Sequence, residues 1–323
     1  MPPGRNMFKY LVNRLLVNIP TLLAILATVF VLVNMAPGDP IDAFVPPSQA
    51  LSEVQKEQLR HELGLDRPVP VRFVLWLKQT ASGDLGYRYK DGARVADEIK
   101  SRIAPTLLLA LSGLTVGSVL GILFGLISAR RPNGKLDHVL SLFAYIAISS
   151  PAFLVGIVGM YLFSLLLGWF PSGGYSTPGK DGWGDILYHL ALPATVLSVQ
   201  FIAITMRYTR AGLLDTMNQD YIRTAIAKGA GPNRVMLRHA LPNTLVPIVT
   251  VIGASFGGLI GGAVFVETVF SWPGMGMLFL DAIESRDYPL IMGIALFVSL
   301  AILAVNMLTD LVYSWIDPRI TLK

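Results

Sequence analysis

The sequence predicts an all-α, polytopic membrane protein with six transmembrane helices and both termini in the cytoplasm. Three observations carry that prediction. Only 15% of the 323 residues are charged, against about 25% in a typical soluble domain, and the mean hydropathy is +0.57. Six runs without a charged side chain reach or approach the ~20 residues that carry a helix across a hydrocarbon core. Lys and Arg gather on alternate connections between those runs. Cysteine is absent, which excludes disulfides and thiolate chemistry.

The first run, 15–38, follows a basic flank of Arg5, Lys9 and Arg14. It is longer than the apolar core of a cleaved signal peptide and no small-residue cleavage site follows, so it reads as an anchor that stays. The second, 105–129, carries Gly113, Gly117, Gly121 and Gly125. The third, 139–170, is too long for one straight crossing, and Ser149-Ser150-Pro151 marks a kink in its middle. The fourth, 190–206, is short but is extended by 186–188 and His189. The fifth, 241–266, repeats the glycine spacing at Gly253, Gly257 and Gly261, with Gly258 and Gly262 beside them, and Tyr288–Thr309 is the sixth. Small residues at that spacing let helix backbones approach closely. Tight packing is the simpler reading of the rows; helices sliding around a pathway is the functional one.

Basic residues set the orientation. Arg130, Arg131 and Lys135 connect the second and third runs, and Arg207, Arg210, Arg223, Lys228, Arg234 and Arg238 connect the fourth and fifth. The tail adds Arg319 and Lys323, while the short connections on the other side hold only Lys180 and Arg286. Basic connections stay on the cytoplasmic side, which places both termini there. The loop 37–104 is too long for that rule and balances ten basic against ten acidic residues. Within it, Ser52-x-x-Gln55 is a capping box opening an amphipathic helix that ends near Gly64, and a second short helix falls around Val71, Val74 and Leu75. The chain thus divides into a flank and first span (1–36), an outer helical loop (37–104), a core of five spans (105–316) containing a cytoplasmic loop (207–241), and a tail (317–323).

That cytoplasmic loop holds the most specific pattern. Asp220 as N-cap and Gly229 as C-cap enclose a helix of about two turns, and Gly231-Pro232 open a second. Two short, basic, amphipathic helices would form a docking knob, although a solvated positive loop would carry the same charge. The spacing tips the balance. Arg223-Thr224-Ala225, then Gly229, then Leu241-Pro242 resembles the EAA loop of ABC-importer permeases, whose pattern is E-A-A, three residues, Gly, nine residues, I-x-L-P. Arg223 replaces the acid and His239 the aliphatic residue. The run from Tyr221 to Gly229 is similar to the dipeptide, oligopeptide and nickel branch. So are Pro37-Gly38-Asp39-Pro40, Leu63-Gly64-Leu65-Asp66, Gly83-Asp84-Leu85-Gly86, the stretch from Glu267 to Gly276, and Arg286-Asp287-Tyr288-Pro289.

The resemblance implies an inner-membrane permease subunit that forms half of a translocation pathway for di- or oligopeptides and is not itself an enzyme. It implies a second, homologous permease, two cytoplasmic subunits that bind the ATP and magnesium, and an extracytoplasmic solute-binding protein. No cofactor or metal is expected in this chain. Asp220, Tyr221, Arg223, Thr224, Ala225, Lys228, Gly229, Arg234, Leu241 and Pro242 become the residues that couple it to the ATPases.

Polar groups inside the runs are few. Gln200 and Glu267 are candidates for a pathway lining or gate, with interhelical hydrogen bonding the plainer role for both; Asn306 and Asp310 suit the plainer role. No carboxylate lies mid-span, which disfavours an ion-coupled secondary transporter. An intramembrane enzyme is the other alternative, but His61, His138, His189 and His239 are scattered and form no catalytic motif. The run from Gly174 to Lys180 fits the start of a phosphate-binding loop, yet Asp181 stands where a magnesium-binding hydroxyl belongs.

Overall fold

A computed structural model describes residues 4–36, 41, 52–180 and 182–316. The Pro37-Gly38-Asp39-Pro40 motif, the tail, the surroundings of Gly257, Gly258, Gly261 and Gly262, and the side chain of Asp310 lie outside the described set. Among the described residues there is no strand; Tyr87 and Arg94 make one isolated antiparallel bridge. The helices are α1 (Gly4–Met35), α2 (Glu53–Glu62), α3 (Val69–Ala81), α4 (Val95–Arg130), α5 (Lys135–Ser149), α6 (Ala152–Gly159), α7 (Trp183–Met217), α8 (Asp220–Ala227), α9 (Pro232–Arg234), α10 (Leu241–Val269), α11 (Met275–Glu284) and α12 (Tyr288–Ile316). Widened π-type turns, Met160–Leu166 and Val235–Ala240, follow α6 and α9.

Among the described residues four helices are long and apolar enough to cross a membrane: Leu16–Met35 of α1, α4, α7, and Tyr288–Thr309 of α12. A fifth span results if α5 and the stretch Ala152–Leu166 count as one. The expected kink there is a bend of 109°. Its cause is local: a residue before proline is driven out of the helical region, and Ser150 sits at φ −88°, ψ 128° ahead of Pro151. Helices α4 and α7, 36 and 35 residues long, extend well beyond their apolar runs and pass through Pro105 and Pro193 without ending. The short apolar helix α11 was not expected from the pattern.

The chain falls into two compact units, Met1–Ala104 with Met277–Leu303, and Pro105–Gly276 with Ala304–Lys323. In the first, Leu26, Phe30 and Met292 form a core against which Phe73 and Trp76 of α3 pack. The capping box is present: Ser52 Oγ accepts from Gln55 N, and the Gln55 side chain accepts from Ser52 N at 3.0 Å. Gly64 follows α2 at φ +63°.

In the second unit the glycine row of α4 lies against α7 in step. A Cβ on Gly113, Gly117, Gly121 or Gly125 would meet Leu197, Phe201, Thr205 or Thr209 respectively, at 3.0 Å for Gly113, 2.6 Å for Gly121 and 2.5 Å for Gly125. Both series climb together, so the two helices run parallel with backbones in close approach. The row is a packing surface.

Candidate functional site

The loop between α7 and α10 is built by short-range hydrogen bonds. Asp220 is the first helical residue of α8 rather than its N-cap, because Gln219 holds the extended conformation (φ −75°, ψ 150°) that the cap position needs. An acid in the first turn still favours the helix dipole. At the other end Lys228 is the C-cap and Gly229 follows at φ +84°. The Ala230 N–H donates to Ala225 O at 3.1 Å and the Gly229 N–H to Ile226 O at 2.9 Å, the paired bonds of a Schellman stop. Only glycine takes that backbone conformation at no cost. Pro232 then begins α9 with Gly231 as its cap.

This small helix is firmly seated. Ile222 is fully buried in a cluster with Ala129, Leu213, Val235 and Ala240, against which Leu241 packs. Tyr221 Oη accepts from Asn243 Nδ2 at 2.8 Å, tying α8 to the first turn of α10. Thr224 Oγ1 donates back to Asp220 O at 3.0 Å. The opposite face is open, with Tyr221, Arg223, Ile226 and Lys228 exposed, as are Arg234, Leu237 and Pro242. All ten residues expected at this site therefore fall within one continuous stretch of α8, α9 and the start of α10.

Gln200 and Glu267 have separate partners. Gln200 Nε2 donates at 2.7 Å to Ser150 O, a carbonyl freed where the chain breaks before Pro151. Glu267 is fully buried: Oε1 accepts from Thr106 Oγ1 at 2.9 Å and Oε2 from the Gly276 N–H at 2.7 Å. A Cβ on Gly274 would collide with its carboxylate, and Thr106 Oγ1 also accepts from the Met275 N–H at 2.6 Å. Glu267 thus latches the first turn of α11 onto α4.

Sequence reasoning passed over Asp137, the one acid in the basic connection 130–138. It is 2% exposed and accepts from both Nε and Nη2 of Arg210 at 2.7 Å, from Ser128 Oγ, and from the Asn133 N–H at 2.8 Å. A lone acid among basic residues was the available signal. His189 is also engaged, on Gly173 O and Thr177 Oγ1, each at 3.1 Å. Among the described residues no group of His, Cys, Asp or Glu could hold a metal ion.

The model of the family described as binding-protein-dependent transport system inner membrane components matches residues 121–322, and the model of the N-terminal part of such components matches 7–110. The chain belongs to this family. It is a multi-pass inner-membrane permease subunit of an ABC importer, which sets aside the ion-coupled transporter and the intramembrane enzyme. A Brucella suis protein named as a peptide permease is 48% identical over 316 residues, covering 97% of this chain and 99% of its own. The oligopeptide transport system permease protein AppB of Bacillus subtilis is 39% identical, with the same coverage. The glutathione transport system permease protein GsiC of Escherichia coli is 38% identical, covering 98% of this chain and all of its own. In fold the chain is similar to a subunit of the MetNI methionine ABC transporter in an inward-facing conformation, with a TM-score of 0.57 at 16% identity, covering 68% of this chain and 96% of that one.

Proposed function

We propose that the chain is one half of a peptide translocation pathway and that α8 is the helix through which partner ATPases drive it. The observation that carries this reading is the seating of α8. Its inner side is anchored by the buried Ile222, its end is set by Gly229, and its outer side presents Tyr221, Arg223 and Ile226. A rigid, half-exposed helix bonded to α10 through Tyr221 and Asn243 can pass a push from a docked partner into the spans. Alternating access then needs a partner that favours one packed arrangement over the other.

The six-span topology with cytoplasmic termini belongs to the same proposal. It is supported by the Lys and Arg asymmetry, by α10, whose 29 residues carry Glu267 as their single charge, and by treating α5 with 152–166 as one broken span. On this reading 207–241 faces two ATP-binding subunits that hold ATP and magnesium, a second permease completes the pathway, and a binding protein delivers the solute outside. The names of the relatives point to peptides, with glutathione a member of that class.

The test is a reconstituted transporter carrying Gly229→Pro. Proline cannot take φ +84° and has no N–H to give Ile226 O. Peptide uptake is expected to fall at least tenfold while the chain stays in the membrane and ATP hydrolysis persists. Uptake at the wild-type rate refutes α8 as the coupling element. Mass spectrometry of the complex purified from its native membrane checks the subunits; a chain recovered without an ATPase or a second permease would contradict the assembly.

A further inference from the structure

In the unit formed by Met1–Ala104 and Met277–Leu303, one arginine is surrounded by carboxylates while two others have none. Arg88, 7% exposed, lies 2.9 Å from Asp281, 3.1 Å from Asp91, 3.4 Å from Asp287 and 3.8 Å from Glu98. Arg67 and Arg72 make no side-chain hydrogen bond or ion pair among the described residues, although Arg72 is half-buried. Both line a cavity of about 350 Å³, and Glu62 is the one carboxylate among its described lining residues. An arginine held in a pocket with no carboxylate on its guanidinium is a site for an anion from outside the chain.

The rest of the wall says what kind. Phe30 stands in the last turns of the apolar span of α1, and Tyr288 and Met292 in the first turns of the apolar span of α12. The cavity therefore lies where two membrane spans emerge, on the side of the 52–104 loop. Trp76 and Tyr89 also line it, so aromatic rings sit at the level where they favour the membrane interface. The Trp76 indole N–H is buried there with no hydrogen-bond partner among the described residues. Beneath, deeper in the span and on the face of α1 that carries Phe30 and Asn34, Ile19 and Leu23 are exposed. One end is apolar and faces hydrocarbon; the other offers two unpaired guanidinium groups. That is the chemistry of an amphiphile with a phosphate.

We propose that this cavity binds the headgroup of an anionic phospholipid, with the phosphate on Arg72 and Arg67 and the acyl chains along the exposed face of α1. The inference rests on α1 and α12 crossing the membrane and not on α8 acting as the coupling helix, so the two readings fail separately.

The test uses the full transporter in vesicles of phosphatidylcholine alone or with added phosphatidylglycerol. Melting temperature and lipid retained by native mass spectrometry are the readouts. Phosphatidylglycerol is expected to raise the melting temperature and to be retained through delipidation, and Arg67→Gln with Arg72→Gln to abolish both effects while melting as the wild type does in phosphatidylcholine. Lys78→Gln, which removes one positive charge from an exposed part of α3 outside the cavity, is expected to keep both. If the double variant responds as the wild type does, or phosphatidylglycerol neither binds nor stabilises, the proposal is wrong. Loss of the effect in Lys78→Gln would reduce it to general surface charge. An equal shift from soluble glycerol phosphate would make the ligand a free phosphate and overturn the lipid assignment.

Discussion

Asp137 and Arg210 form a two-pronged ion pair across 73 residues of sequence, with both contacts at 2.7 Å and the carboxylate almost wholly buried. The pair joins the first turn of α5 to the last third of α7, the helix that leads into the candidate coupling loop. Ser128 Oγ and the Asn133 N–H complete the coordination of the carboxylate, so the turn between α4 and α5 is held by the same group. Removing one member of such a pair leaves a charge and several donors unmatched, which costs far more than the pair itself contributes.

Asp137→Ala is therefore expected to destabilise the protein by about 3–5 kcal/mol. Asp137→Asn combined with Arg210→Gln should lose less than the sum of its single changes, by roughly 0.5–3 kcal/mol of coupling. Thermal unfolding of the four proteins in detergent measures the cycle. Additive losses would mean that the two side chains do not act as a unit.

The α4–α7 contact predicts a graded packing series. Gly121→Val would drive atoms into Thr205 and the Ile202 carbonyl, and overpacking of this kind costs about 1–3 kcal/mol. Gly184→Ala, at a helical site with nothing within 4 Å of the added carbon, should be neutral or stabilising by up to about 1 kcal/mol. Yield and melting temperature separate the two. Equal tolerance would argue against close approach of the helices.

Glu267 distinguishes a latch from a gate. Glu267→Gln keeps one acceptor but turns its amide N–H₂ toward a donor, Thr106 Oγ1 or the Gly276 N–H. The expected loss is about 1–3 kcal/mol, with uptake falling only as far as folded protein does. Unchanged melting together with altered uptake would restore the gate.

The Arg88 cluster predicts a pH response with two signs. Burial pushes the Asp281 carboxyl up, but Lys90 and Arg88 more than offset this and hold it below the usual range. Its contribution to stability is present above the ordinary carboxylate range and is lost as pH falls through the depressed value. Asp287 is the reverse: burial raises it, outweighing its backbone hydrogen bonds and Arg88, so its ionised form weakens the fold as pH rises through that raised value. Asp281→Asn is expected to lower stability at neutral pH and to flatten the acid loss. Asp287→Asn keeps a side-chain oxygen for the Leu290 N–H and should cost less at neutral pH. Melting curves across the carboxylate range decide it; a larger loss at neutral pH for Asp287→Asn than for Asp281→Asn would invert the assignment.

The features legible in the sequence were those made by neighbours in the chain. The capping box at Ser52, the stop at Gly229 and the break at Pro151 depend on hydrogen bonds and steric limits within five residues, so residue type and spacing determine them. The family pattern in 220–242 is of the same local kind. The lengths of α4 and α7 were not legible, because lipid requires only ~20 apolar residues while a helix continues as long as packing supports it. The size of the bend after Ser149, the partners of Gln200 and Glu267, and the pairing of Asp137 with Arg210 were decided by the tertiary structure alone. Each depends on which helix faces meet across tens of residues, and a one-dimensional pattern records that a buried charge needs a partner without recording which partner the fold brings to it.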